Sequence, residues 1–170
     1  YSNIQEAVNN AANSDTMIVG QGVYNETVNV NKPLKLIGPN SGIHPKNGLR
    51  KSEAVITGGV VLSAGNVTIE GFKITNPGGS ERFGIAPSAG MGLLNNINIR
   101  WNSFVDTGDS AIVFKPDTIF GKSTNWDISN NYITGIMNTG NESIDVSNIN
   151  GLTLKDNYLG SNIKTSDGKG

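Results

Sequence analysis

Few side chains in this sequence have both the types and the spacing to do chemistry. Tyr132 and Tyr158 hold the same place in successive copies of a repeated phrase; Trp101 stands at a turn of an earlier copy, with Arg100 and Asp127 nearby. Aromatic faces flanked by amide, carboxylate and guanidinium groups suit sugar rings, whose C–H groups pack on the π face. Tyr132, Tyr158, Trp101, Arg100 and Asp127 are therefore the candidate carbohydrate-binding residues. The competing reading is that the tyrosines cover each other or pack under a loop. Glu70 beside Arg100 reads as a cross-strand ion pair. Asp106 and Asp109 flank Gly108 and offer Ca²⁺ two carboxylates, but without a third ligand turn formation explains them better. His44 is the single histidine and cysteine is absent, so a zinc site lacks its nitrogen and sulfur ligands. His44 then reads as an exposed loop residue. No catalytic residue is assigned, and no cofactor is called for.

The elements that position these side chains are copies of one phrase. It runs Val67-Thr68-Ile69-Glu70-Gly71-Phe72-Lys73-Ile74, then Ile97-Asn98-Ile99-Arg100-Trp101-Asn102-Ser103-Phe104. It returns as Trp126-Asp127-Ile128-Ser129-Asn130-Asn131-Tyr132-Ile133 and Leu152-Thr153-Leu154-Lys155-Asp156-Asn157-Tyr158-Leu159. With a weaker copy at Leu34, the starts at 34, 67, 97, 126 and 152 lie 33, 30, 29 and 26 residues apart. A near-constant period of this size marks a solenoid or array, and the alternation within each copy marks a strand. Strand, sharp turn, short strand and long return make one coil of a parallel β-helix. Outward positions then form columns: Thr68, Asn98, Asp127, Thr153; Glu70, Arg100, Ser129, Lys155; and Lys73, Ser103, Tyr132, Tyr158. Between them Asn102, Asn131 and Asn157 point inward as a structural asparagine ladder, ending where Phe72 replaces Asn.

Chain length and composition agree with a thin stack. The 170 residues carry a net charge of −1, 36% hydrophobic residues and 22 glycines. That is one β-helix domain, with coils over 14–160 and a polar tail over 161–170. It offers no basic footprint for nucleic acid and no apolar run for membrane insertion. Ser2 and Gln5 fit a capping box, and Ile4, Ala7, Val8 and Ala11 recur at helical spacing. Residues 1–13 thus read as a capping segment, with a short helix over roughly 3–12 covering the open end. Tyr24 to Val30 reads as one strand. Turn-rich segments 38–53, 76–82 and 115–125 read as projecting loops. No capping helix follows Leu159, so the chain is expected to continue past Gly170 or to self-associate through that end.

The opening Ile4-Gln5-Glu6-Ala7-Val8, Asp15-Thr16-Met17-Ile18-Val19, Gly22-Val23-Tyr24-Asn25-Glu26-Thr27-Val28 and Lys32-Pro33-Leu34-Lys35-Leu36-Ile37-Gly38 resembles the start of right-handed parallel β-helix proteins. These are the pectate-lyase-like superfamily, including pectin methylesterases and periplasmic NosD-type repeat proteins. The resemblance implies an all-β, right-handed, single-stranded parallel β-helix of about five to six coils with a short N-terminal capping α-helix. Lyases of the superfamily use Lys or Arg as base and often Ca²⁺ to neutralise the substrate acid. Gly108-Asp109-Ser110-Ala111 and Asp117-Thr118-Ile119-Phe120-Gly121 are similar to methylesterase segments, but Pro116 stands where Gln would precede Asp, and the remaining roles are missing. The expectation is an extracellular or cell-surface module, or a periplasmic one, which binds polysaccharide without catalysis. The alternatives are the N-terminal part of a polysaccharide lyase or epimerase, and a self-assembling structural solenoid. A fold of this kind does not by itself decide among them.

Overall fold

The repeated phrase builds one coil of a parallel β-solenoid, and the chain stacks such coils end on end. The computed structural model describes residues 1–77, 83–116, 121–136 and 142–160, with the backbone of 163–165. Each coil gives three short strands. In chain order they are β1 (Thr16–Ile18), β2 (Gly22–Tyr24), β3 (Val28–Val30); β4 (Lys35–Ile37), β5 (Ala54–Ile56), β6 (Val60–Leu62); β7 (Val67–Glu70), β8 (Lys73–Asn76), β9 (Ile85–Pro87). They continue as β10 (Ile97–Arg100), β11 (Ser103–Thr107), β12 (Ile112–Phe114); β13 (Ser123–Ser129), β14 (Tyr132–Thr134), β15 (Ile144–Val146); β16 (Ile149–Lys155), β17 (Tyr158–Leu159), β18 (Ile163–Thr165). Among the described residues, like strands stack on like in three six-stranded sheets. The first runs β1-β4-β7-β10-β13-β16, the second β2-β5-β8-β11-β14-β17 and the third β3-β6-β9-β12-β15-β18.

Pairing is parallel and holds the copies in step. Ile69, Ile99, Ile128 and Leu154 follow one another in the first sheet, and Ile56, Ile74, Phe104 and Ile133 in the second. β-branched side chains suit this pleated, tightly stacked surface. All of these except Leu154 are fully buried, each contributing roughly 1.5–3 kcal/mol by leaving water. Trp126 fills the bore near Phe114, ring centres 4.6 Å apart, and its indole N–H donates to Leu94 O at 2.7 Å.

The end is covered by α1 (Ile4–Asn10), shorter than the expected 3–12. Its N-cap is Asn3 rather than Ser2, with Asn3 Oδ1 accepting from Glu6 N at 2.7 Å. Both residues are good caps; the pair Asn3 and Glu6 supplies the motif one position later. Gln5 is thereby released. Its Oε1 accepts from Asn29 N at 2.6 Å and its Nε2 donates to Asn29 O at 3.3 Å. Asn29 lies on the edge strand β3, so the amide stands in for a neighbouring strand. Glu26 accepts from Ile4 N at 2.7 Å and Gln5 N at 2.9 Å, placing its carboxylate at the helix N-terminus. Residues 24–30 accordingly form two strands, interrupted where Glu26 turns to the helix. Two further boundaries differ. Ser123–Ser129 starts inside a segment expected to be loop, with Ser123 Oγ accepting from Leu94 N at 2.9 Å. Ile163–Thr165 adds a strand in the expected tail, Ile163 pairing in register with Ile144. Among the described residues no helix is long and apolar enough to cross a membrane.

Candidate functional site

The corner between the first and second sheets carries the candidate residues. The last four coils turn it through one residue in the left-handed region: Gly71 (φ 81°), Trp101 (φ 52°), Asn130 (φ 57°) and Asp156 (φ 53°). The next residue points inward, and the expected ladder forms there. Asn102 Nδ2 donates to Ile69 O at 2.9 Å while its Oδ1 accepts from Phe72 N at 3.1 Å. Asn131 bridges Ile99 O and Asn102 N at 2.8 and 3.0 Å. Asn157 bridges Ile128 O and Asn131 N at 2.7 and 3.0 Å. Each amide thus closes the left-handed turn of the preceding coil, supplying partners the turn itself lacks. The ladder stops at Phe72. Gly71 holds the corner there, where a Cβ would lie 2.2 Å from Ser41 N.

Trp101 is the misfit in this column. Left-handed backbone suits Gly and Asn but costs a bulky L-residue on the order of 1 kcal/mol. The turn is held by Asn131 on one side and by Arg50, whose Nη1 donates to Trp101 O at 2.9 Å, on the other.

Tyr132 and Tyr158 continue the outward column of Lys73 and Ser103 on the second sheet. Parallel strands repeat at about 4.8 Å, so rings in successive coils are placed to stack. Their centres lie 4.9 Å apart, with planes 16° from parallel. Tyr158 stays 41% exposed and Tyr132 is half-buried.

Residues 38–53 do not project; they fold back along the solenoid. Asn40 is fully buried and pins Lys51 through its backbone N and O at 2.6 and 3.1 Å. Arg50 Nε pairs with Glu53 at 2.7 Å, and its other nitrogens donate to Ile43 O, Trp101 O and Phe72 O. Beyond this anchor a 3₁₀ turn, Pro45–Asn47, reaches the sixth coil. There His44 Nε2 meets Asp156 O at 3.1 Å, and Lys46 Nζ lies 3.7 Å from the centre of the Tyr158 ring. His44 is half-buried and partnered, not an exposed loop residue. The competing reading of the tyrosines describes their contacts, since they stack on each other and Tyr158 meets a loop.

The ion pair expected between Arg100 and Glu70 does not form. Arg100 Nη2 turns to Asp127 Oδ2 at 2.9 Å and Asn98 Oδ1 at 2.6 Å. Glu70 Oε1 instead accepts from Ser41 Oγ at 2.7 Å. Asp127, in register with Asn98, reaches Arg100 on the diagonal, and the folded-back loop occupies Glu70. Arg100 and Asp127 therefore lie together on the first sheet, Tyr132 and Tyr158 on the second, and Trp101 at the corner between. Two acceptors thus fix the orientation of the Arg100 guanidinium on the sheet surface.

Among the described residues no three His, Cys, Asp or Glu side chains converge on a metal position. Asp106 lies not in a turn but within β11, where the register shifts, with left-handed backbone (φ 53°) and its Oδ1 close against Gly135 of the next coil. Asp117 lies outside the described residues. Two open clefts of about 380 and 460 Å³ flank α1, at the far end from the tyrosines.

Sequence reasoning missed a second, exposed ladder. Asn96 Nδ2 donates to Asn66 Oδ1 at 2.8 Å, and Asn125 Nδ2 to Asn96 Oδ1 at 3.0 Å. All three residues are left-handed, and each directly precedes the first apolar residue of a copy, which was the signal available. The Arg50 anchor had no such signal. Comparison of the chain with protein families, curated proteins and solved structures finds no match.

Proposed function

We propose that this chain is a noncatalytic extracellular or cell-surface module of the pectate-lyase-like superfamily that binds polysaccharide on the ledge formed by Tyr132, Tyr158 and Trp101. The observation that carries the reading is Trp101. An indole sits where the neighbouring coils use Gly, Asn and Asp, at a backbone conformation those residues adopt more readily. Local strain of this kind is retained where the side chain serves a function. Stacked tyrosine faces one corner away give a sugar chain a second apolar contact, and Arg100 with Asp127 offers hydrogen bonds across the corner.

Trp101→Asn separates function from architecture. Asn fits the left-handed corner, so the variant should be as stable as the parent or about 1 kcal/mol more so. Binding on a glycan array, followed by titration calorimetry, should fall at least tenfold, as should that of Tyr158→Ala. Wild-type protein that binds no glycan, or variants that bind undiminished, would overturn the proposal.

A further inference from the structure

The segment over Tyr158 differs from the anchor that carries it. Asn40 is buried and Arg50 half-buried, and both are bonded several times over. The tip between them is exposed over Lys46 to Leu49 and meets the sixth coil through His44 and Lys46. It is bounded by Gly42 (φ 76°) and Gly48 (φ 64°), and a Cβ at either would meet nothing within 4 Å. Both glycines are therefore free to change conformation without disturbing a neighbour. His44 Nδ1 accepts from Lys46 N at 3.2 Å while Nε2 meets Asp156 O, so one neutral tautomer makes both bonds and couples the imidazole to the lysine turn.

We propose that residues 43–48 are a hinged latch, closed over the tyrosine ledge by the Lys46 ammonium on Tyr158 and opening about Gly42 and Gly48 while the Arg50 anchor stays in place. This rests on the ledge reading only for its consequence. The ammonium occupies a face of Tyr158 that a sugar ring would use, so a glycan reaches that face when the latch opens. An exposed cation–π contact corresponds to a bias of about two- to fivefold towards the closed form.

The test uses the full chain and Lys46→Ala, an exposed position where loss of folding is not expected. Tetranitromethane nitrates accessible tyrosines, and tryptic peptides 123–155 and 156–164 report Tyr132 and Tyr158 separately. The variant should raise the nitration rate of Tyr158 about two- to fivefold. Amide exchange should rise over 43–48 and stay unchanged at Lys51, whose N–H is held by Asn40. No change at Tyr158, or loosening of Lys51 together with the tip, overturns the latch. If Tyr158 is unmasked but neither protein binds any glycan, the latch stands and the polysaccharide reading fails. If glycan binds, Lys46→Ala should tighten it by the same factor; unchanged affinity despite unmasking means the glycan does not use that face, and the gating role is overturned.

Discussion

Asn131→Ala removes the amide that closes the Trp101 turn. Two buried backbone groups, Ile99 O and Asn102 N, lose partners now at 2.8 and 3.0 Å. A buried polar group left unpaired costs about 1–3 kcal/mol, so the two together cost about 2–6 kcal/mol. Against this stands the strain released when Trp101 leaves the left-handed region, on the order of 1 kcal/mol. The net loss of about 1–5 kcal/mol is a large share of the roughly 5–15 kcal/mol typical of a folded domain. Urea unfolding followed by tryptophan fluorescence measures it, because Trp126 is buried beside Phe114 in an adjacent coil. Asn157→Ala, at a half-buried position where water can replace the amide, should cost about 1 kcal/mol. In a Trp101→Gly background, Asn131→Ala should change its cost by more than about 0.5 kcal/mol, the usual mark of coupled sites. A variant within about 0.5 kcal/mol of the parent, or an Asn157→Ala that costs more than Asn131→Ala, would refute the reasoning.

Two further substitutions probe the scaffold around the ledge. Arg50→Ala removes the guanidinium from Glu53, which keeps only Asn40 Nδ2, and the side-chain donor from Trp101 O, while Phe72 O keeps Ser103 N; it should cost about 3 kcal/mol in urea unfolding. Gly71→Ala puts a Cβ 2.2 Å from Ser41 N at φ 81°, so a loss above about 4 kcal/mol is expected, seen as insoluble expression or absent strand signal in circular dichroism.

The fold was legible because every coil must solve the same packing problem. Ile69, Ile99 and Ile128 stack on one another, so any register slip would turn a whole column outward, and selection for burial leaves a readable period. The corner was legible at Gly71, Asn130 and Asp156 as turn residues, and the ladder as the Asn one place on. What could not be read were choices between equals. Asn3 and Ser2 both cap helices, and Glu26, 22 residues beyond Ile4, takes the N–H groups of Ile4 and Gln5 as the first-turn donors that leave Asn3 as the cap. Arg100 has a carboxylate one coil away on either side, and only the folded-back loop, through Ser41, takes Glu70 out of contention. Turn-rich composition identifies 38–53 as irregular but carries no direction. The anchor that gives it one joins Arg50 to backbone carbonyls 22 and 51 residues away, and a carbonyl leaves no mark on side-chain identity.

The ladder also gives the stack a direction in time. Each asparagine serves the coil before its own, so a corner is completed only when the next coil arrives with its amide. From the third coil onward, addition is then one-way, each newcomer locking its predecessor. A ribosome delivers the chain in that same order. At about 5–20 residues per second, a coil of about 30 residues emerges every 1.5–6 s or so, and each can dock on a finished neighbour without waiting for distant segments. Among the exceptions are the contacts of His44 with Asp156, 112 residues apart, and of Lys46 with Tyr158, which close only after the sixth coil has been laid down.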